Sequence, residues 1–220
     1  MMAIGPKLKW IKSQLEDKLN LISFLIISIL LAFLVLKNFN QNILINTILI
    51  SSAFYLFFIT LRDFFVKKYK NISQNIAHFG FSLLILSILF NNLFASEVIT
   101  NLKVGETFEN SKNKIVFESV DQKSEQNYNA IIANFSISSS FGEEEKFSPE
   151  LRIYNQPVIA TSEADIKTSL VSDKFIVVNL VQNQDYFNVR YQVKPFMLWI
   201  WISVLIISLG GVISFLQKRS

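Results

Sequence analysis

His78 is the only histidine among 220 residues, and the chain has no cysteine. It is therefore the one side chain with a strong affinity for borderline metal ions, and it lies in an apolar run, Ile76-Ala77-His78-Phe79-Gly80-Phe81-Ser82-Leu83-Leu84-Ile85-Leu86. Placing an ionisable group in hydrocarbon costs a few kcal/mol or more, so such a residue marks a functional site by default. Asn71, Asn75, His78 and Ser82 follow at spacings of four, three and four, which puts them on one face of a helix. A polar stripe of this kind faces protein or a cofactor. Two readings are open: a seam of interhelical hydrogen bonds, or an axial haem ligand whose second ring nitrogen is oriented by polar neighbours. Gly80 leaves room for a flat cofactor or another helix.

A second pair with chemical potential is Arg152 and Tyr154. Alternation places both on one side of an extended strand, where a guanidinium and a phenol can meet one ligand such as a carboxylate or propionate. The competing reading is an intradomain salt bridge. Consecutive carboxylates at Glu143-Glu144-Glu145, beside Gly142, read as a solvated loop, because neighbours in sequence do not converge on one ion without a shaped backbone. The glycosylation-type triplets Asn71-Ile72-Ser73 and Asn134-Phe135-Ser136 carry little weight.

Four apolar stretches must position these groups: about 19–36, 43–61, 72–94 and 195–216. Each is long enough to cross about 30 Å of hydrocarbon at a rise of 1.5 Å per residue. The first follows Lys7, Lys9 and Lys12 but is followed by Lys37-Asn38-Phe39-Asn40 with no small-residue cleavage site, so it reads as a retained helix. Lys194-Pro195-Phe196-Met197-Leu198-Trp199-Ile200-Trp201 reads as the start of the fourth helix, with proline in its first turn and tryptophans at the interface. Met197 is too far in depth from His78 to share one iron with it, by about 20 Å on the helix rise. Gly210-Gly211 predicts close helix packing.

Residues 95–194 differ in composition, holding 14 acidic and 10 basic side chains for a net −4; the remainder carries +8, and the two give the whole-chain +4. Basic residues cluster at the N-terminus, at Arg62/Lys67/Lys68/Lys70 and at Lys218/Arg219. That pattern is a topology signal rather than a nucleic-acid patch: the termini and the 62–70 loop inside, residues 95–194 outside. Alternation in this segment predicts strands, with Ile131, Ala133, Phe135 and Ile137 on one face. Phe175–Val181 and Tyr186–Val193 form a hairpin through Gln182-Asn183-Gln184-Asp185, and 114–120 is a further strand. The expected architecture is an α-helical membrane protein of four transmembrane helices with a small antiparallel β domain inserted between helices three and four. Its regions are 1–94, 95–194 and 195–220. Broken helices and paired midplane charges, the marks of a transporter, are not evident.

Several stretches, in order, resemble the C-terminal third of the CcmF family of cytochrome c-type biogenesis proteins. They are Ile4-Gly5-Pro6-Lys7-Leu8-Lys9-Trp10, Ala77-His78-Phe79-Gly80, Pro149-Glu150-Leu151-Arg152-Ile153-Tyr154, Pro157 with Glu163-Ala164, the Lys194–Trp201 stretch and Gly210-Gly211. The resemblance implies that His78 is one of two axial ligands of a haem b shared with another polypeptide. It implies that haem is also the substrate of the assembled cytochrome c haem lyase, which attaches it to apocytochrome c. Implied partners are the N-terminal part of CcmF, a haem chaperone, apocytochrome c with its thiol-handling partners, and membrane lipid, in a bacterial or mitochondrial inner membrane. The family's tryptophan-rich haem-handling motif and remaining haem histidines have no counterpart here, so the chain reads as one piece of a split or truncated protein, not expected to be catalytic alone; the Met1-Met2 start fits a separately translated piece. Arg152 and Tyr154 become a partner-facing or haem-edge patch. The alternative function is a non-enzymatic membrane scaffold whose β domain docks partners.

Overall fold

The computed structural model describes residues 15–37, 43–66, 72–111, 113–139, 144–181 and 185–217. The basic clusters at Lys7–Lys18, Lys67–Lys70 and Lys218/Arg219, the 4–10 stretch, Asn71, Glu143 and the turn residues 182–184 lie outside the described residues, although Lys18 is in the backbone of the first helix. The chain forms two units, one helical (Met1–Leu93 with Phe196–Ser220) and one of strands (Phe94–Pro195).

The helical unit holds α1 (Leu15–Leu36), α2 (Ile43–Val66), α3 (Ile72–Phe94) and α4 (Met197–Gln217). All four are long and apolar enough to cross a membrane. Phenylalanines make much of the α1–α2–α3 packing: Phe24 stacks on Phe58, Phe54 meets Phe58 and Phe90, and Phe79 lies against Phe57 and Phe64. Buried Ser28 and Ser203 donate to the carbonyls of Phe24 and Trp199, four residues back, so each hydroxyl is satisfied within its own helix. α3 and α4 approach through small residues. A Cβ on Gly80 would meet side-chain carbons of Ile206 and Ile207 at 2.9 Å, and one on Gly210 would meet the Ala77 amide nitrogen at 2.8 Å and the Ser73 carbonyl oxygen at 2.9 Å. Gly80 thus serves a helix contact, and of the paired glycines only Gly210 does; nothing lies within 4 Å of a Cβ at Gly211.

Two helix ends differ from expectation. α2 continues to Val66, so Arg62 is helical and not part of a loop; Phe64 and Phe65 extend the apolar sequence past the charged Arg62-Asp63 pair. Pro195 does not open α4 but ends the last strand, paired with Ser172 and buried. The chain turns at Phe196, whose φ of 59° is unusual for a bulky residue. Its ring packs on Phe90, with centroids 5.3 Å apart, and its carbonyl accepts the Ile200 amide at 3.2 Å, opening the helix.

The strand unit is a two-layer antiparallel structure. One sheet has the order β1-β10-β9-β8: β1 (Ser96–Leu102), β10 (Phe187–Pro195), β9 (Ser172–Leu180) and β8 (Asp165–Thr168). The other has β2-β3-β4-β6-β7: β2 (Thr107–Glu109), β3 (Asn113–Ser124), β4 (Tyr128–Ser139), β6 (Glu150–Asn155) and β7 (Val158–Glu163), with β5 (Glu144–Phe147) on the far half of β4. The alternating faces meet in one core of Leu102, Ile115, Phe117, Ala133, Phe135, Ile137, Phe147, Ile176, Val178, Val189 and Tyr191. Phe117 stacks on Phe135 at 4.5 Å and takes the edge of Phe187 at 5.2 Å. The register shift between Phe117 and Ser119 inserts Glu118 as a bulge, which keeps Phe117 and Val120 on the core side although they are three residues apart.

Two members of the acidic run lie in a strand and not in a loop. Glu144 and Glu145 belong to β5, where Glu144 accepts from the Ser136 hydroxyl and Glu145 pairs with Lys174 at 2.5 Å across the two sheets. Burial, with the Glu145 charge second, pushes the neighbouring Tyr191 hydroxyl up to about 12.

Because Gly210 faces unyielding backbone, Gly210→Leu is expected to cost about 1–3 kcal/mol through overpacking, while Gly211→Leu leaves stability within about 0.5 kcal/mol. Thermal unfolding of the two variants in detergent or nanodiscs checks this; equal melting temperatures would contradict the α3–α4 packing.

Candidate functional site

α3 divides its circumference between two neighbours. Ser82 and Asn75 face α2: the Ser82 and Thr60 hydroxyls are 2.8 Å apart in a buried pair, and the Asn75 amide donates to the Asp63 carbonyl at 3.4 Å. Ala77 and Gly80 face α4. His78 is turned about 40° from Ser82 and about 160° from Gly80 at 100° per residue, so it projects along a flank close to the α2 side and well away from α4. Its side chain is half-buried, and among the described residues it has no hydrogen bond or ion pair. The polar stripe is thus split in role, with two members forming an interhelical seam and the imidazole left out of it.

The helix α3 also sets the depth. His78 stands six residues from the start of α3 and sixteen from Phe94, or about 9 Å and 24 Å along the axis. The packing of Gly210 on Ser73 and Ala77 holds the backbone one residue before it. An imidazole presented sideways from a clamped helix suits a planar ligand arriving from outside these four helices. For an axial haem ligand the donor chemistry fits on one side only, since the chain contains no other histidine and no cysteine. Among the described residues no group of three or more metal-ligating His, Cys, Asp or Glu side chains exists.

Arg152 and Tyr154 lie in β6 and share one face of their sheet with Tyr128, which pairs in register with Tyr154. The Arg152 guanidinium sits 5.0 Å from the Tyr128 ring centre, and the two tyrosine rings are 5.4 Å apart. Arg152 Nε also donates to Glu150 Oε2 at 2.8 Å. The hydrogen bond to Glu150, then that to Tyr154, hold the guanidinium pKa above its ordinary value. The intradomain ion pair is therefore present, yet it leaves the clustered Tyr128, Arg152 and Tyr154 side chains partly open to solvent. Tyr128 escaped the sequence reading because it joins Arg152 only through strand pairing across more than twenty residues. The same holds for Glu97, which accepts from Gln192 at 2.5 Å and from Arg190, interactions that lower its pKa in that order.

Comparison with known proteins agrees with the architecture. Residues 93–195 match the family described as CcmF C-terminal beta-sandwich. The whole chain is 25% identical to the cytochrome c-type biogenesis protein CcmF of Haemophilus influenzae and 22% identical to that of Escherichia coli, spanning 36% and 35% of their lengths. The cytochrome c-type biogenesis protein ccl1 of Rhodobacter capsulatus is 29% identical over 65% of the chain and 22% of its own length. A solved structure titled Cytochrome c Heme Lyase CcmF shares the fold, with a TM-score of 0.66 at 20% identity over 96% of this chain and 37% of the other. The chain spans about a third of the length of the full CcmF relatives. With four membrane-length helices and a β-sandwich between the third and fourth, the chain is similar over its length to the C-terminal part of CcmF proteins, and its residues 93–195 match the β-sandwich of that family.

Proposed function

We propose that this chain works in cytochrome c maturation as the C-terminal part of a haem lyase, where His78 supplies one axial ligand of a haem b and the second ligand comes from outside these residues. The observation that carries the reading is the orientation of His78: α2 and α4 use the neighbouring faces of α3, and the lone imidazole is presented on the remaining flank. When bound, the haem would link two protein segments and offer a route for electrons. Haem as the substrate of the complex, apocytochrome c, a haem chaperone and thiol-handling proteins would be met together with the N-terminal part of CcmF. This chain alone would attach no haem.

His78→Ala, in the chain assembled with an N-terminal CcmF part, is expected to weaken haem b retention at least about tenfold and to lower cytochrome c yield. Ser82, Asn75 and Gly210 keep the helices packed in this variant, and His78→Gly with added imidazole should recover the absorption spectrum. An unchanged haem spectrum in His78→Ala would favour the scaffold reading.

Topology follows from the basic clusters: the sandwich lies outside the inner membrane and both termini inside. Single cysteines at Ser124 and Ser220 should therefore differ in intact cells, with an impermeant thiol reagent labelling only the first. Labelling of the second alone would reverse the assignment.

The Tyr128–Arg152–Tyr154 cluster is the proposed docking patch of the sandwich, since aromatic and arginine side chains dominate binding hot spots. Truncation at a hot spot costs about 2 kcal/mol or more of binding. Arg152→Ala is expected to reduce cytochrome c maturation at unchanged protein level, and Arg152→Lys to restore little, because an ammonium does not reproduce the planar guanidinium over the Tyr128 ring with its hydrogen bonds to Glu150 and Tyr154. Maturation that stays normal, or falls only as far as the protein level does, would remove the patch from the mechanism.

A further inference from the structure

The β8–β9 hairpin ends in an exposed apolar tip whose position follows from strand register. β10 carries the chain out of the sandwich at Pro195, and Pro195 pairs with Ser172, the first residue of β9. β1, which receives the chain from α3, begins at Ser96 opposite Val193. Both connections to membrane-length helices therefore leave from the same end of this sheet as the tip Ser169-Leu170-Val171. Leu170 and Val171 are 70% and 65% exposed. At strand rise Leu170 reaches about 7 Å past the row of Pro195. Two residues after Pro195 the chain is already in α4, whose first turns carry Trp199 and Trp201, the residue type that marks headgroup depth.

The turn is also built to enter a poorly hydrated layer. The Ser169 amide and hydroxyl both donate to the Ser172 carbonyl, at 3.1 and 2.8 Å, and the Ser169 hydroxyl oxygen accepts from the amides of Val171 and Ser172 at 3.3 and 3.0 Å. These polar groups are thus satisfied within the tip, as a lipid environment requires. Lys167 and Lys194 stand in the last rows of strand before it, Lys194 in register with Asp173, while Lys174 in the same rows is held by its ion pair with Glu145. Cations just above an apolar tip suit lipid phosphates.

We propose that Leu170 and Val171 insert into the headgroup–acyl boundary of the membrane that the four helices cross, as a lipid anchor of the sandwich. Interfacial anchors of this kind bury about 5–10 Å into the headgroup–acyl boundary.

Since the chain has no cysteine, Leu170→Cys and, as a control, Val158→Cys can each carry one environment-sensitive fluorophore. Val158 is 82% exposed at the hairpin between β6 and β7 in the other sheet. In nanodiscs containing the full chain and nitroxide-labelled lipid, quenching at position 170 is expected to exceed that at 158 by at least about twofold, with blue-shifted emission. Water-like emission at 170, or a blue shift that nitroxide lipid does not quench, would overturn the proposal, the latter by placing the tip against protein. Leu170→Asp, with the label moved to Val171→Cys, is expected to abolish the lipid quenching while the sandwich keeps its far-ultraviolet circular dichroism.

Discussion

The pairing of β1 with β10 is the constraint on which the strand unit depends. A domain inserted between two membrane helices on one face must bring its ends back together, and here seven consecutive residue pairs, Ser96–Val193 to Leu102–Phe187, do so. Their inward side chains, Val98, Leu102, Phe187, Val189, Tyr191 and Val193, form or line the core. On the outward side Glu97 accepts from Arg190 and Gln192, tying the entering strand to the leaving one. With the ends held, the remaining strands need only extend the two sheets and cover the core. The turn at Phe196, where the bulky ring on Phe90 offsets a left-handed backbone, lets the strand stop and a helix begin within two residues.

In the helical unit the corresponding constraint is the close approach of α3 and α4. Small residues make it possible, and their placement on one side of α3 leaves the other side for hydroxyl pairing and phenylalanines. His78 belongs to neither set. An imidazole that contributed only to packing would be expected in the Thr60–Ser82 seam, where a partner is at hand. Its position on the flank is what gives the ligand proposal its physical basis.

Much of this was legible in the sequence where a single element decides the outcome. The alternation of Ala133 to Ile137 and of Phe187 to Val193 appears as core-facing sides of β4 and β10, Ile131 lying outside the core cluster, and the four apolar stretches appear as helices. What escaped depended on partners distant in sequence. Pro195 has the local chemistry of a helix start, but a strand ladder with Ser172 claims it. Gly210 and Gly211 are equivalent by type, and only contact with Ser73 and Ala77 separates them. Glu145 reads as solvated until β5 places it opposite Lys174. Arg152 and Tyr154 were placed on one face by alternation alone, whereas Tyr128, which completes the cluster, required the register of β4 on β6.

The central proposal, a haem held between His78 and a ligand from outside the chain, is tested most directly by the reduced-minus-oxidised absorption spectrum of the wild-type chain purified alone and with an N-terminal CcmF part. A six-coordinate b-type spectrum that forms only in the assembled sample is the predicted result. Six-coordinate haem b on the isolated chain, or no haem b signal in either sample, would contradict it.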